Sequence, residues 1–446
     1  MTTVAEGDDR AVVVRGGEVV DRDGRRRADV LVEHGRIAAV EPSIDPPAKA
    51  RVLDAGGCIV APALVDLHTH LREPGREEAE TIESGTRAAA LGGYGHVVAM
   101  PNTDPAVDSV EVASWVRDRA SRFAVVDVTP AAAITVGRGG EQLAPMGEMA
   151  ADHTSQVSLF TDDGAGVQDD LLMRRAMEYS VGVAARVGRP IVLAQHCEID
   201  RLAAAGCMHE GEWSAKLGVP GIPAEAEELM VARDLALARL TGARLHFQHL
   251  STAGSVELVR AAKAAGLPVT AEATTHHFTL THAELVDYDP VFKVNPPLRT
   301  DDDVAAVRAG LADGTIDAIA TDHAPHTQDA KELPLDQAPP GMLGLETALA
   351  LALTELDLPL ERILALMSWQ PAEIAGLGTE QPGRIQAGLY GPKLCVFDPD
   401  EAWTVDPDQL ASLSRNTPYA GRPLRGRVRH TLVGSEVVVA DGEAQS

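Results

Sequence analysis

The feature that most constrains the fold of this chain is a series of eight apolar strand candidates, each followed by a helical segment rich in Ala, Leu, Glu and Arg. Eight strand–helix units are the number that closes a (β/α)8 barrel, an α/β fold of the TIM type. A doubly wound open sheet is the competing architecture, but no Gly-rich phosphate-binding sequence follows the first strand. The strand candidates are CIVAPALVDLHTH, YGHVVAMPNT, FAVVDVTPAAAIT, QVSLFTDDG, PIVLAQHCE, RLHFQHLST, PVTAEATTHHF and IDAIATDHAPH.

Both ends of the chain have a different pattern from the middle. Short β-branched runs separated by Gly-rich turns occupy the first 60 residues, and similar runs occur in KLCVFDP and HTLVGSEVVVADGE near the end. We therefore expect one small β-sheet domain built from both ends. The predicted boundaries are 1–61 and 376–446 for the two parts of the sheet domain, with the barrel at 62–375.

Composition restricts the class of partner. The formal charge of −27 argues against binding to nucleic acid or to an anionic membrane, because both require a basic surface. No apolar run approaches the roughly 18 residues of a membrane-spanning helix. The four cysteines form no CxxC pair, and the acidic N-terminus lacks the apolar core of a signal peptide. These features predict a cytoplasmic protein with reduced thiols.

Polar residues cluster at the carboxyl ends of the strand candidates, which is where barrel enzymes build their active sites. The first candidate ends in VDLHTHLREPG, and alternation along a strand places His68, His70 and Arg72 on one face. Two imidazoles at this spacing can bind one metal ion. A lone His-x-His occurs often by chance, but its place at the end of the first barrel strand favours a metal site.

Three further strand ends carry residues that ligate metals. His196 ends the fifth strand candidate, His249 ends the sixth, and Asp322 ends the eighth. One histidine on a buried strand is more often a hydrogen-bonded core residue than a ligand. Two at equivalent ends of neighbouring strands favour a shared metal site, in which Asp322 can bind a metal and exchange protons.

Together these motifs resemble the amidohydrolase superfamily, and the local sequences are similar to those of class I dihydroorotases of the long bacterial type. The resemblance extends from the first sheet to NTPYAG near the end of the chain. It rests on the set HTHLREPG, MPNTDP, FTDDGAGVQD, HCE, QHLSTAGS, NPPLR and TDHAPH. One departure is Ala63, where the PGLVDxHxH lead-in has Gly.

The resemblance implies a metal bridge on the fourth strand. Many members of the superfamily bridge two metals with a carboxylated lysine, but QVSLFTDDG contains no lysine. The class I dihydroorotases use an aspartate of the DDG turn instead. Matching the motif favours Asp163, with Asp162 as the alternative because the register at a strand end is easily misjudged by one residue. Either aspartate also suits an ordinary turn.

By resemblance, one metal is expected on His68, His70, Asp163 and Asp322, and a second on Asp163, His196 and His249. Imidazole and carboxylate ligands suit Zn²⁺, two per subunit, although Mn²⁺ or Co²⁺ fit the same ligands. The implied activity is the reversible hydrolysis of (S)-dihydroorotate to N-carbamoyl-L-aspartate in de novo pyrimidine (UMP) biosynthesis. Water activated by the metals is the expected nucleophile, and Asp322 is the expected general acid and base.

Arg72 is the predicted partner of the substrate carboxylate, since a guanidinium binds a carboxylate with two parallel hydrogen bonds and Arg72 shares a face with the ligand histidines. The segment 326–344 is long and rich in Pro and Gly, and both a lid over the substrate and a static surface loop remain open. The resemblance adds these substrate-binding residues: His70, Asn102, Asn295, His326, Pro340 and Gly341.

The nearest alternative functions are other cyclic amidases, namely hydantoinase, dihydropyrimidinase or allantoinase. The missing lysine and the presence of Arg72 argue against them. A non-catalytic partner of aspartate carbamoyltransferase is a further alternative, but every expected ligand is present. Association of an active enzyme with that transferase, and a homo-oligomer, remain open. The other histidines, including His246, His276 and His277, are predicted to be structural, and Glu198 is expected to support His196.

Overall fold

The amino-terminal part of the chain forms short strands, as its β-branched runs predict. The computed structural model describes residues 11–155, 157–204, 206–377 and 382–445. Strands β1, β4, β5 and β6 form one four-stranded sheet in the order β5-β4-β1-β6. The strands are β1 (Val12–Arg15), β2 (Glu18–Asp21), β3 (Gly24–Arg27), β4 (Asp29–Glu33), β5 (Arg36–Glu41), β6 (Arg51–Asp54) and β7 (Ile59–Pro62).

The middle of the chain forms the barrel, and each of the eight strand candidates contains one barrel strand. Most barrel strands are short and fully buried, because one face lines the barrel interior and the other packs on helices. The barrel strands are β8 (Leu64–Thr69), β9 (Tyr94–Ala99), β10 (Asp127–Pro130), β11 (Leu159–Phe160), β12 (Val192–Gln195), β15 (Arg244–Phe247), β16 (Val269–Thr274) and β17 (Ala318–Ala320). A separate pair, β13 (Met208–His209) and β14 (Gly221–Ile222), lies between the fifth and sixth of these strands.

Parallel pairing closes the barrel. The first three barrel strands pair with their neighbours in chain order, namely β8, β9 and β10. The other five do the same, in the order β11, β12, β15, β16 and β17. Two parallel bridges, Ala132 with Phe160 and Thr69 with His323, join these two groups. The α/β barrel prediction is therefore confirmed, and the carboxyl ends of all eight strands lie at one end of the barrel.

Helices connect successive barrel strands and begin at capping residues that the sequence provides. Thr81, Ser109, Asp169, Thr252 and Thr300 each accept a hydrogen bond from a backbone N–H of the first helical turn. The helices are α1 (Ile82–Leu91), α2 (Val110–Phe123), α3 (Met146–Ala151), α4 (Asp170–Val187), α5 (Asp200–Ala203), α6 (Glu212–Leu217), α7 (Glu225–Thr241), α8 (Ala253–Ala264), α9 (Asp301–Asp313), α10 (Gln328–Lys331), α11 (Ala348–Glu355), α12 (Leu360–Leu364) and α13 (Gln370–Ala375).

The carboxyl-terminal strands complete a sheet that the amino-terminal strands begin. They are β18 (Lys393–Thr404), β19 (Pro423–Val433), β20 (Glu436–Ala440) and β21 (Glu443–Ala444). One seven-stranded sheet has the order β21-β20-β19-β18-β7-β2-β3, so strands from both ends pair directly. This confirms the β-sheet domain built from both chain ends. The boundaries at 61 and 376 remain a prediction.

Small apolar side chains fill the barrel interior below the carboxyl ends of the strands. Leu67, Val98, Ala131, Leu159 and Ala194 belong to one buried cluster there. Since this apolar layer occupies the interior, polar side chains at the strand ends form a floor rather than a channel. Among the described residues, no helix has both the length and the apolar character needed to cross a membrane.

Candidate metal and substrate site

The predicted ligands meet at the carboxyl end of the barrel. His68 lies within β8 and His70 directly after it, while Asp163, His196, His249 and Asp322 follow β11, β12, β15 and β17. All six side chains are buried. His249 and Asp322 have positive φ values of 34° and 46°, and so does Arg72 at 60°. Such strained backbone in non-glycine residues is often found at functional sites.

Four of these residues form the first half of the cluster. His68 Nε2 lies 3.2 Å from Asp163 Oδ1 and 3.5 Å from Asp322 Oδ1. His70 Nε2 lies 2.9 Å from Asp322 Oδ1 and 3.5 Å from Asp163 Oδ2. The nitrogen lone pairs of two imidazoles and the oxygens of two carboxylates thus converge within ligand distance of a single ion.

The second half of the cluster lies on the other side of Asp163. His196 Nδ1 and His249 Nε2 are 2.9 Å apart, and each lies 3.7 Å from Asp163 Oδ1. Asp163 is therefore the one carboxylate that contacts all four histidines. A carboxylate in this position could be shared by two cations, as in two-metal hydrolases.

The neighbouring Asp162 has a different environment. Its Oδ1 accepts hydrogen bonds from the backbone N–H groups of Ile134 and Thr135, at 2.8 and 3.0 Å. Its Oδ2 accepts from the Thr135 hydroxyl. Asp162 is thus occupied in holding the loop after β10, whereas Asp163 points into the histidine cluster. This geometry favours Asp163 as the bridge.

The electrostatics of the cluster favour a positive charge at its centre. Burial alone would raise the pKa of Asp163, but His68, His196 and His249 lower it well below its usual value. Burial opposes protonation of His68, yet Asp163 and Asp322 raise its pKa well above the usual value. His68 Nε2 and His249 Nδ1 are buried and have no hydrogen-bond partner among the described residues. The donor set therefore fits divalent cations.

A second carboxylate supports His68 from below, and the sequence patterns did not single it out. Glu272 on β16 is fully buried, and its Oε1 accepts from His68 Nδ1 at 2.9 Å. Its Oε2 accepts from His246 Nε2 at 3.0 Å, while His246 Nδ1 lies 2.8 Å from Thr270 Oγ1. With its Nδ1 proton donated to Glu272, His68 directs Nε2 into the cluster, where a metal ion, when bound, would replace the second proton. The available signal was a Glu within a buried strand.

A cavity of about 210 Å³ opens over the cluster. All seven residues predicted to bind substrate line it, one of which, His70, is also a predicted metal ligand. Four further predicted metal ligands line it as well, whereas His68 does not. The lining residues that were predicted are His70, Arg72, Asn102, Asp163, His196, His249, Asn295, Asp322, His326, Pro340 and Gly341.

Arg72 is a buried cation on the cavity wall. Its Nε donates to the carbonyl oxygen of Pro325 at 3.0 Å, and its Nη2 lies 3.3 Å from His326 Nε2. Burial lowers the pKa of Arg72 to about 10, so the side chain stays charged at neutral pH. His326 Nε2 donates to the Pro340 carbonyl at 2.8 Å, and burial with the nearby Arg72 and Lys331 lowers the pKa of His326 to about 3. Arg72 therefore has donors available for an anion beside a neutral imidazole.

The loop 326–344 is tied to the body of the protein at several points. Lys293, which lies outside the loop, donates from Nζ to the carbonyl oxygen of Leu335 at 2.7 Å, and its own carbonyl oxygen accepts from the Gly341 N–H at 2.9 Å. Asn416 Nδ2 donates to the carbonyl oxygens of Ala324 and Gly341, at 3.0 and 3.1 Å. These contacts fix the wall formed by Pro340 and Gly341, which favours a static loop over a lid.

Two polar side chains complete the cavity. Asn102 Oδ1 accepts from His70 Nδ1 at 2.9 Å, which orients that imidazole toward Asp322. Asn295 Oδ1 is buried and has no hydrogen-bond partner among the described residues. His277, predicted to be structural, donates from Nε2 to the carbonyl of Pro296 at 3.0 Å and so holds the segment that carries Asn295.

Comparison with known proteins agrees with this geometry. A family model described as "Dihydro-orotase-like" matches residues 57–255. A dihydroorotase of Pelotomaculum thermopropionicum is 48% identical over 439 residues, which cover 96% of this chain and 99% of the relative. A dihydroorotase of Mycobacterium tuberculosis is 46% identical over 424 residues, covering 94% of this chain and 96% of the relative.

Two solved structures with the same fold are a hydantoinase and a dihydropyrimidinase. The L-hydantoinase of Arthrobacter aurescens superposes with a TM-score of 0.84 at 26% identity, covering 98% of this chain and 97% of that protein. A dihydropyrimidinase from Brevibacillus agri gives a TM-score of 0.82 at 21% identity, with 97% and 96% covered. At 21% identity, the similarity to the dihydropyrimidinase shows only that the two proteins share a fold. Because two dihydroorotases are 46–48% identical to this chain over nearly its whole length, the chain belongs to the dihydroorotase family of metal-dependent cyclic amide hydrolases.

Proposed function

We propose that this chain catalyses the reversible hydrolysis of (S)-dihydroorotate to N-carbamoyl-L-aspartate, a step of pyrimidine biosynthesis. The observation that carries the proposal is the placement of one buried, permanently charged side chain, Arg72, on the wall of a cavity floored by metal-binding residues. Dihydroorotate has the two features that such a cavity selects, a ring amide and a carboxylate. The 43–48% identity to dihydroorotases over nearly the whole chain supports the same substrate.

His68, His70, Asp163 and Asp322 would hold one Zn²⁺, and Asp163, His196 and His249 would hold the other. Zinc is the proposed metal because imidazole and carboxylate are its ordinary ligands in hydrolases. When bound, the two cations lower the pKa of water and polarise the amide carbonyl. Glu272 and Asn102 keep the imidazoles of His68 and His70 in the orientation and tautomer that ligation needs.

Asp322 is the proposed proton carrier. Its carboxylate lines the cavity, its Oδ1 lies 2.9 Å from His70 Nε2, and it remains ionised because His68 and His70 lower its pKa despite burial. As water adds to the ring carbonyl carbon, Asp322 accepts the proton that water loses. It delivers that proton to the ring nitrogen as the carbon–nitrogen bond breaks. In reverse, the same carboxylate removes the nitrogen proton and ring closure expels water.

Arg72 and Asn295 orient the ring in this proposal. A guanidinium gives a carboxylate two parallel charge-assisted hydrogen bonds. The unpaired Oδ1 of Asn295 can accept a hydrogen bond from a ring N–H, which would satisfy this buried atom. Association with aspartate carbamoyltransferase and assembly into a homo-oligomer remain predictions.

Arg72→Met tests the substrate assignment. Two charge-assisted hydrogen bonds are worth about 3–6 kcal/mol together, so we expect KM for dihydroorotate to rise about 100-fold or more, with bound metal unchanged. The preference for dihydroorotate over dihydrouracil, which lacks the carboxylate, should largely disappear. Arg87→Met is the matched control, since Arg87 is exposed on α1 and pairs with Glu83. An unchanged KM in Arg72→Met would contradict the assignment.

Glu272→Gln tests the support beneath His68. The amide replaces one acceptor oxygen by an N–H2 group that faces an imidazole N–H, so we expect metal affinity to fall about 10- to 100-fold. Competition with a chelator measures the affinity, and thermal unfolding of the metal-free protein separates this effect from lost stability. Asp21→Asn is a control, because Asp21 is an equally buried carboxylate in the sheet domain that pairs with Arg26. Equal metal affinity in Glu272→Gln and wild type would refute the role.

A further inference from the structure

A second and larger cavity lies at the opposite end of the barrel from the catalytic cluster. It measures about 790 Å³, within the range of small-molecule sites, and none of the predicted site residues lines it. We call it the rear cavity. It lies between the amino-terminal parts of the second to fifth barrel strands and the carboxyl-terminal ends of α3, α4 and α13, and its charged lining includes Arg117, Asp127, Asp152, Arg186, Arg189 and Lys393.

Three guanidiniums in the rear cavity have no carboxylate partner among the described residues. Arg117 donates to the carbonyl of Val128, and Arg186 donates to that of Gly147. Arg189 Nη2 donates to the carbonyls of Ala150 and Val157, both at 2.8 Å. Each guanidinium has five N–H donors, so these backbone contacts position the three side chains and leave donors for a ligand.

The positive charge around this cavity contrasts with the formal charge of −27 of the whole chain. Many other arginines on its surface pair with acids. Examples are Arg22 with Glu373, Arg87 with Glu83, Arg122 with Asp118, Arg174 with Glu178, and Arg260 with Asp313. Acidic residues outnumber basic ones by 66 to 39, so three guanidiniums without a carboxylate partner around one concavity form a locally positive region in an acidic chain.

The acids of the rear cavity do not neutralise this charge. Asp127 pairs with Lys393 at 2.7 Å, so the charges of these two groups offset each other. Asp152 accepts from the backbone N–H groups of Thr154 and Ser155, at 3.0 and 2.7 Å. Four cations against these two carboxylates leave a formal charge of +2. Burial and the nearby Lys393 and Arg117 lower the pKa of His96, so that imidazole is neutral at neutral pH.

We propose that the rear cavity binds a phosphate-bearing anion. Guanidiniums match the oxygens of phosphate with paired hydrogen bonds, and several guanidiniums around one concavity suit a dianion better than a single carboxylate. The concave shape and volume favour a small molecule over the flat surface of another protein. This site is independent of the proposed ring hydrolysis, because it shares no residue with the catalytic cavity.

Calorimetric titration of the metal-loaded chain with inorganic phosphate, at constant ionic strength and with the catalytic site saturated by dihydroorotate, tests the proposal. We expect saturable binding that weakens about tenfold in Arg186→Gln and in Arg117→Gln. Arg122→Gln, on the same helix as Arg117 but paired with Asp118, should bind as wild type does. Hydrolysis by all three variants should stay within twofold of wild type, which also shows that they fold.

Two results would overturn the proposal. One is the absence of saturable binding, as expected if a second copy of the chain covers the cavity. The other is binding that Arg72→Met abolishes while Arg186→Gln leaves it intact, since phosphate would then occupy the catalytic cavity. Repeating the titration with a nucleoside monophosphate distinguishes the two sources of phosphate. Tighter binding than inorganic phosphate supports an organic phosphate ligand, and equal binding supports free phosphate.

Discussion

Replacing Asp322 by Asn is expected to lower kcat for dihydroorotate hydrolysis by about a thousandfold or more while the barrel stays folded. The amide cannot accept the proton from water or deliver it to the ring nitrogen, and this proton transfer alone contributes roughly 10²–10⁴ in rate. Asn also removes a negative charge beside His70, so one metal should bind more weakly. Steady-state rates at saturating Zn²⁺ separate the two effects, because added metal restores occupancy and leaves the proton transfer impaired.

A control for Asp322→Asn is the same change at Asp317, a partly exposed carboxylate near the start of the same strand that pairs with Lys263. That variant should keep activity close to wild type, with a stability loss at most typical of such a pair. Near-normal turnover in Asp322→Asn would contradict the assigned proton carrier. If Asp322→Asn is inactive and its far-UV circular dichroism spectrum shows an unfolded chain, Asp322→Glu takes its place as the test. We expect Asp322→Glu to be folded and partially active.

The paired variants Asp163→Asn and Asp162→Asn are expected to separate metal binding from stability. Asp163 contacts all four histidines, so its loss should release at least one metal per chain and lower kcat about a thousandfold. Asp162 accepts three hydrogen bonds from the loop after β10, so its loss should cost about 1–3 kcal/mol of folding stability and leave both metals in place.

Metal analysis of purified protein and thermal unfolding measure these two outcomes on the same samples. Each aspartate variant serves as the other's matched control, because the residues are adjacent, buried and chemically identical. If Asp162→Asn loses metal and Asp163→Asn retains it, then the bridge has been assigned to the wrong residue.

Much of the fold follows from local sequence patterns. Each barrel strand is an apolar run followed by a helical segment with its own capping residue, so the eight units can be recognised one at a time. The strand-end positions of His68, His196 and Asp322 follow for the same reason. A barrel brings the ends of its strands together, and the structure places these three residues in one cluster.

Other features depend on how distant segments meet, and the sequence patterns did not predict them. Glu272 on the seventh barrel strand supports His68 on the first, a contact that exists only after the barrel closes. Lys293 and Asn416 fix the loop 326–344 through its carbonyl oxygens, which no residue pattern identifies. His246 does not join His249 in the histidine cluster, yet it supports the site indirectly, because its Nε2 donates to Glu272. The rear cavity combines residues from eight separate segments.

The most direct test of the central claim uses the purified chain alone, stripped of metal by a chelator and then titrated with Zn²⁺. Hydrolysis of dihydroorotate and bound metal are measured at each step. We predict negligible turnover without metal and full turnover, of dihydroorotate in preference to dihydrouracil, at two Zn²⁺ per chain. No turnover of dihydroorotate with two Zn²⁺ bound, or undiminished turnover after the metal has been removed, would contradict the account.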